Sequence, residues 1–221
     1  MASEPEPGKR RCLVELITGY ALILAVLWTP RPYQRALYIL ALLVIVAIIW
    51  RSFTTLDAMG LRTTNFLRSS WIVAAAAAVS VVSVLIAYRL HTLHAPHAAR
   101  LFIKTFWGYA LWSFAQQILL QDFFLHRLLR LLRSRSLAAV AAALIFAFAH
   151  VPSPILMLIT LSLGLAACFL FLRYRNLWPL AISHALLGIT IAIAIPAPAI
   201  RNMRVGLGYL RYHRPATQLH Q

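Results

Sequence analysis

Acidic side chains are scarce in this chain. Five Asp and Glu stand against 21 Lys and Arg, a formal charge of +16, and Asp122 is the sole acidic residue from Leu101 onward. Few groups in that half can serve as a carboxylate base. Cysteine is rarer still: Cys12 and Cys168 sit in or beside different apolar segments, and no disulfide between them is expected within lipid. Cys12 stands at a segment boundary, where S-palmitoylation is open beside the plainer reading of a small buried residue. No HExxH pair occurs, which removes that zinc-peptidase motif. Runs such as AAAAAVSVVSVLIAY lack the alternation a membrane β-barrel requires. Neither an internal repeat nor a low-complexity tract is visible.

What the chain does have is hydrocarbon. Of its 221 residues 62% are hydrophobic, and the mean hydropathy is +0.77, well above that of a water-soluble domain. A bilayer core about 30 Å thick takes roughly 20 apolar residues per helix. Seven segments meet or approach that length: residues 12–28, 35–50, 71–88, 101–125, 136–150, 155–172 and 178–195. With barrels excluded, helices are the spanning structure left. The expected fold is all-α, a polytopic transmembrane bundle of about seven helices. The first segment follows Lys9, Arg10 and Arg11 as a secretory leader would, but it ends in TPRP without a small-residue cleavage site and is read as a retained span. Three regions are expected: amino-terminal spans with an interfacial loop (1–100), a core (101–195) and a basic tail (196–221).

The positive charge falls at helix ends and forms no single patch, so anionic lipid headgroups are the expected partner and nucleic acid is not. Lys9, Arg10, Arg11, Arg51, Arg62, Arg68, Arg127, Arg130, Arg133, Arg135, Arg173 and Arg175 fall on one side. Arg31, Arg35, Arg89, Arg100, Lys104, Arg201, Arg204, Arg211 and Arg214 fall on the other. The asymmetry favours a cytoplasmic amino terminus in a bacterial inner membrane. His126 and the arginines that follow it read as a helix end emerging among headgroups.

Residues 114–124, FAQQILLQDFF, break the apolar pattern. Gln117 and Gln121 share a helix face, Gln116 lies about 100° to one side and Asp122 about 140° to the other. Such groups in hydrocarbon must face other helices or a wet cavity. Two readings are open: interhelical hydrogen bonding without chemistry, or a site. Two histidines favour the site. His150 ends the fifth segment and His184 lies inside the seventh, so three helices can converge on one polar point. Pro152 and Pro154 would free backbone carbonyls near His150.

These residues resemble a known family. FAFAH, residues 146–150, matches the FxxxH motif of the CPBP family, the CAAX protease and bacteriocin-processing (Abi) intramembrane proteases that include the prenyl proteases. The stretch from VPSP through LGLAACFLFLRYRNLWPLAISHALLG is similar to the family's small-residue helix, short basic turn and Leu-Trp-Pro entry to a histidine. MGLR, Met59 to Arg62, resembles a weaker family feature. The likeness covers roughly residues 101–188. Two motifs depart from the pattern. Where the family has paired glutamates and then arginine, this chain has Gln116, Gln117 and Gln121; where the family has asparagine after the last histidine, it has Gly188.

The resemblance implies that Gln116 and His150 would hold a water for attack on a carbonyl. It implies that His184 would face the oxyanion, and that Gln117 and Gln121 would support the site. Glutamine cannot take a proton from water. His150 and Asp122 are the two candidate bases, and losing general-base assistance costs about 10² to 10⁴ in rate. A metal held by His150, His184 and Asp122 is disfavoured, and no cofactor is expected. His91, His94 and His97, interrupted by Pro96, read as interfacial. The activity the resemblance implies is cleavage of a membrane-associated peptide or prenylated protein. The alternatives are a non-catalytic relative that binds such a partner and, with less support in the absence of repeats, a small transporter.

Overall fold

The computed structural model describes residues 8–96 and 98–212; His97 and Arg214 lie outside the described residues. Among the described residues seven helices of 14 residues or more form, at the places the apolar runs dictate. They are α1 (Lys9–Trp28), α2 (Tyr33–Arg51), α3 (Trp71–Arg89), α4 (Ala99–Ile118), α5 (Arg135–Phe148), α6 (Pro154–Tyr174) and α7 (Trp178–Ala194). No strand occurs among the described residues. The helices starting at Lys9, Tyr33, Phe66 and Pro154 are long and apolar enough to cross a bilayer, while Arg135–Phe148 and Trp178–Ala194 are shorter apolar helices. Large apolar side chains such as Leu43, Val81, Leu111 and Leu158 are exposed around the bundle. That is the surface lipid solvates, and the chain is an integral membrane protein of all-α fold.

Helix α4 continues without a break through a π-helical segment, Leu119–Leu125, into His126–Leu131. This segment is the centre of the core. Leu120, Phe123, Phe124 and Leu125 pack with Ala138, Ala139 and Ala142 of α5, Cys168 and Phe171 of α6, and Leu180 of α7. The alanine-rich face of α5 lets α6 approach closely: Gly164 sits opposite Ala143 and Phe146, where a Cβ would make ordinary contact at 3.4 Å or more. Phe123 reaches the other way, to α1, where its ring fills the place a side chain at Gly19 would need. Both cysteines are buried thiols that form no disulfide, on α1 and α6.

One expectation fails here. Arg127 does not emerge among headgroups; it is 1% exposed. Its Nε donates to Glu15 of α1 at 3.1 Å, Nη1 donates to the Asp122 and Phe123 carbonyls, and Nη2 donates to the Ile48 carbonyl and the Ser52 hydroxyl of α2 and its end. The guanidinium also lies over the Phe123 ring. The widened π turn presents carbonyls that need donors, and Arg127 supplies them while tying α4 to α1 and α2. The exposed Arg133 fits the headgroup reading.

The loop between α2 and α3 packs on the turn between α6 and α7. Gly60 adopts a left-handed φ of 77° against Phe171, and its carbonyl accepts from the Leu177 N–H at 2.8 Å. Asn65 donates to the Tyr174 carbonyl and accepts from Asn176, whose own side-chain oxygen accepts from the Trp178 N–H at the start of α7. MGLR is thus a clasp holding the entry to the His184 helix. After α7 the chain turns back: Arg201, Asn202 and Met203 all take positive φ, and the Gly206 N–H donates to the Val151 carbonyl at 2.8 Å. The carbonyl freed by the proline-rich turn is satisfied by this returning segment.

Candidate active site

Three of the residues singled out by sequence share one void. Gln116 of α4, His150 just beyond α5 and His184 of α7 line a cavity of about 620 Å³ between α1, α2, α4, α5, α6 and α7. Its other walls are almost entirely apolar, with Ile45, Leu119, Phe146 and Leu163 among them, and Asn202, Met203 and Val205 of the returning segment close one part of it.

Gln117 and Gln121 stand behind this wall, 4% and 1% exposed. Gln121 Nε2 donates to Gln117 Oε1 at 3.3 Å, and Gln117 Nε2 donates to His184 Nδ1 at 3.0 Å. Nδ1 is then the acceptor of a neutral ring, and the hydrogen resides on Nε2. His150 is held in the opposite sense. Its Nδ1 lies 2.8 Å from the Phe146 carbonyl, which can only accept, so Nδ1 carries the hydrogen and Nε2 keeps a free lone pair. The Phe146 ring lies against both imidazoles, with centroids 5.1 Å from His150 and 6.1 Å from His184. The two rings that line the cavity are therefore tethered differently, His150 with a basic Nε2 and His184 with an Nε2–H donor, and the first residue of the FxxxH motif lies against both.

Asp122 belongs elsewhere. It is 8% exposed and lines a small separate void with Ser52, Thr54, His126 and Arg175. The π turn intervenes between Gln117 and Asp122, and it carries the carboxylate away from the wall that Gln116 occupies. Among the described residues no cluster of three or more His, Cys, Asp or Glu could hold a metal. His94 is engaged locally: its Nδ1 lies 2.9 Å from the Thr92 carbonyl, and its backbone N–H donates to Ile193 at the end of α7.

The family model of the type II CAAX prenyl endopeptidases, Rce1-like, matches residues 15–190. The chain belongs to this family. The match runs from α1 through α7 and includes the spans before Leu101 that the motifs alone left uncovered. No curated protein and no solved structure matches the chain. Membership in this endopeptidase family fits what the cavity offers, since water addition to a carbonyl needs a proton acceptor and a donor for the developing oxyanion. Two site features were not anticipated. Glu15 is the one acid inside the first span, and a buried acid calls for a cationic partner, a signal that could have led to Arg127. Tyr109, which lines the cavity two turns before Gln116, stood among many membrane aromatics with nothing to distinguish it.

Proposed function

We propose that this Rce1-like family member is an intramembrane endopeptidase that hydrolyses a peptide bond in a membrane-associated substrate, prenylated proteins included, without a covalent intermediate. One observation carries the reading: the His150 ring, tethered through Nδ1–H so that Nε2 is bare, and the His184 ring, tethered as an Nδ1 acceptor so that Nε2 carries the hydrogen, line one largely apolar cavity. His150 takes a proton from water as the water oxygen attacks the scissile carbonyl. The carbonyl oxygen gains the negative charge and accepts a hydrogen bond from His184. Collapse of the tetrahedral intermediate breaks the C–N bond, and His150 returns its proton to the leaving amine. Gln116 orients the water through its amide and transfers no proton. Apolar walls suit a substrate that arrives through lipid. The arginine-rich end of the bundle, with Arg62, Arg68, Arg133 and Arg173, faces the cytoplasm in this proposal.

A second reading has an observation of its own. No carboxylate among the described residues lines the cavity, and Gln117 is committed to bracing His184. A protein of this build could bind a membrane peptide and leave it intact. Purified protein in lipid vesicles, given membrane-peptide substrates, separates the two. Turnover that disappears in His150→Ala supports the peptidase. An inert wild type that gains turnover in the Gln116→Glu, Gln117→Glu double variant supports the binder.

A further inference from the structure

Gly188 lies one helical turn beyond His184, so the two positions share a face of α7. Both line the cavity. The space a side chain at 188 would enter is already filled: a Cβ built there collides with the Tyr109 hydroxyl and comes within 2.6 Å of Tyr109 Cζ. The phenol of α4 thus crosses to α7 and places its O–H where residue 188 would begin its own side chain. Cβ atoms four apart on a helix lie about 5 to 6 Å from each other. One oxygen accepting two hydrogen bonds of about 2.8 Å can be shared by donors up to about 5.6 Å apart. The Tyr109 O–H thus stands one helical turn from the His184 backbone position on the wall that both residues line, close enough for the two side chains to converge on one carbonyl oxygen in the cavity.

Gln116 is assigned to the water, and three other polar residues on the walls are placed or engaged elsewhere. Tyr38 sits on α2 with its ring 6.5 Å from Trp112, the Thr160 hydroxyl is spent on the Leu156 carbonyl, and Asn202 is exposed on the returning segment.

We propose that Tyr109 is a catalytic residue of this site, its phenol donating with His184 to the oxyanion of the tetrahedral intermediate. The inference rests on the peptidase reading for its chemistry, and Gly188 is what makes room for it. The hydroxyl donates a hydrogen bond and keeps its proton; His150 remains the group that carries the proton from water to the leaving amine. An oxyanion donor acts on the transition state, not on the ground-state complex.

The test compares Tyr109→Phe with wild type in lipid vesicles, using two ligands of one sequence: a cleavable membrane peptide and its non-cleavable phosphinate, whose tetrahedral oxygens mimic the oxyanion. Phenylalanine keeps the ring that packs against Gly188, and the thermal midpoint in micelles verifies folding. The expected result is a kcat lower by about 10- to 10³-fold, KM within twofold, and phosphinate affinity lower at least 10-fold while affinity for the peptide is unchanged. Gly188→Ala, which displaces the hydroxyl, is expected to weaken the phosphinate in the same way. Unchanged phosphinate affinity in both variants overturns the assignment, as does an equal loss for peptide and phosphinate. A wild type that prefers the phosphinate to the peptide no more than Tyr109→Phe does also overturns it. If wild type binds both ligands but never cleaves, the peptidase reading fails and the catalytic role of Tyr109 with it, while the phosphinate comparison still decides whether its hydroxyl meets a tetrahedral oxygen.

Discussion

Arg127→Met removes the charge that joins three helices, and the size of its effect follows from the bonds in place. The guanidinium has five N–H groups and makes five hydrogen bonds, to Glu15, the Asp122, Phe123 and Ile48 carbonyls and the Ser52 hydroxyl. Methionine fills comparable volume and offers no donor. Breaking a buried pair by removing one partner costs about 3 to 5 kcal/mol, because the remaining charge and acceptors are stranded. Glu15 retains Arg11 at 2.9 Å, which sets the expected loss near the lower end, about 3 kcal/mol or roughly 10²-fold in the folding equilibrium. Arg127→Lys falls between, since an ammonium has three donors on one centre and cannot span all five acceptors. Reversible unfolding in mixed micelles, followed by tryptophan fluorescence, measures both. The exposed Arg133→Met is the control and is expected within about 0.5 kcal/mol of wild type. A loss below about 1 kcal/mol for Arg127→Met would refute the claim that this arginine organises the π segment.

Gln117→Leu leaves the Gln121 amide without its partner and releases Nδ1 of His184 to take either tautomer. A kcat decrease of about 10-fold or more with KM near wild type is expected from steady-state cleavage; an unchanged kcat would contradict the bracing role. Gly19→Ala drives a Cβ into the Phe123 ring and is expected to destabilise by about 1 to 3 kcal/mol in the same unfolding assay; a neutral result would mean that α1 and the π segment do not pack as described. Prolonged dialysis against a chelator is expected to leave cleavage within about twofold, because water activation rests on an imidazole base. Loss of cleavage restored by added zinc would contradict a histidine base.

The helices were legible because lipid demands long apolar runs, and those runs are plain in segments such as Ile155 to Leu172. The pairing of Gln117 with Gln121 followed from their four-residue spacing, and it survives although Gln121 lies inside the π segment. The π turn itself has no sequence signature of that kind. The separate void of Asp122 agrees with its offset of about 140° from Gln117, but nothing local announced the burial of Arg127, a residue whose neighbours Arg130 and Arg133 suggested a solvated helix end. The tail looked separate because it is basic and holds no apolar run, yet the Gly206 N–H reaches the Val151 carbonyl and Val205 lines the cavity. Contacts of this kind join residues far apart in the chain, and no local pattern announces them.

The account depends most on two imidazoles that present opposite valences to one cavity. Nitrogen-15 NMR of histidine-labelled protein in lipid bilayers, with His150→Gln and His184→Gln used for assignment, reads the protonation of each ring nitrogen directly. Hydrogen on Nδ1 of His150 and on Nε2 of His184 is the predicted result. The same tautomer on both rings, or hydrogen on Nε2 of His150, would contradict it.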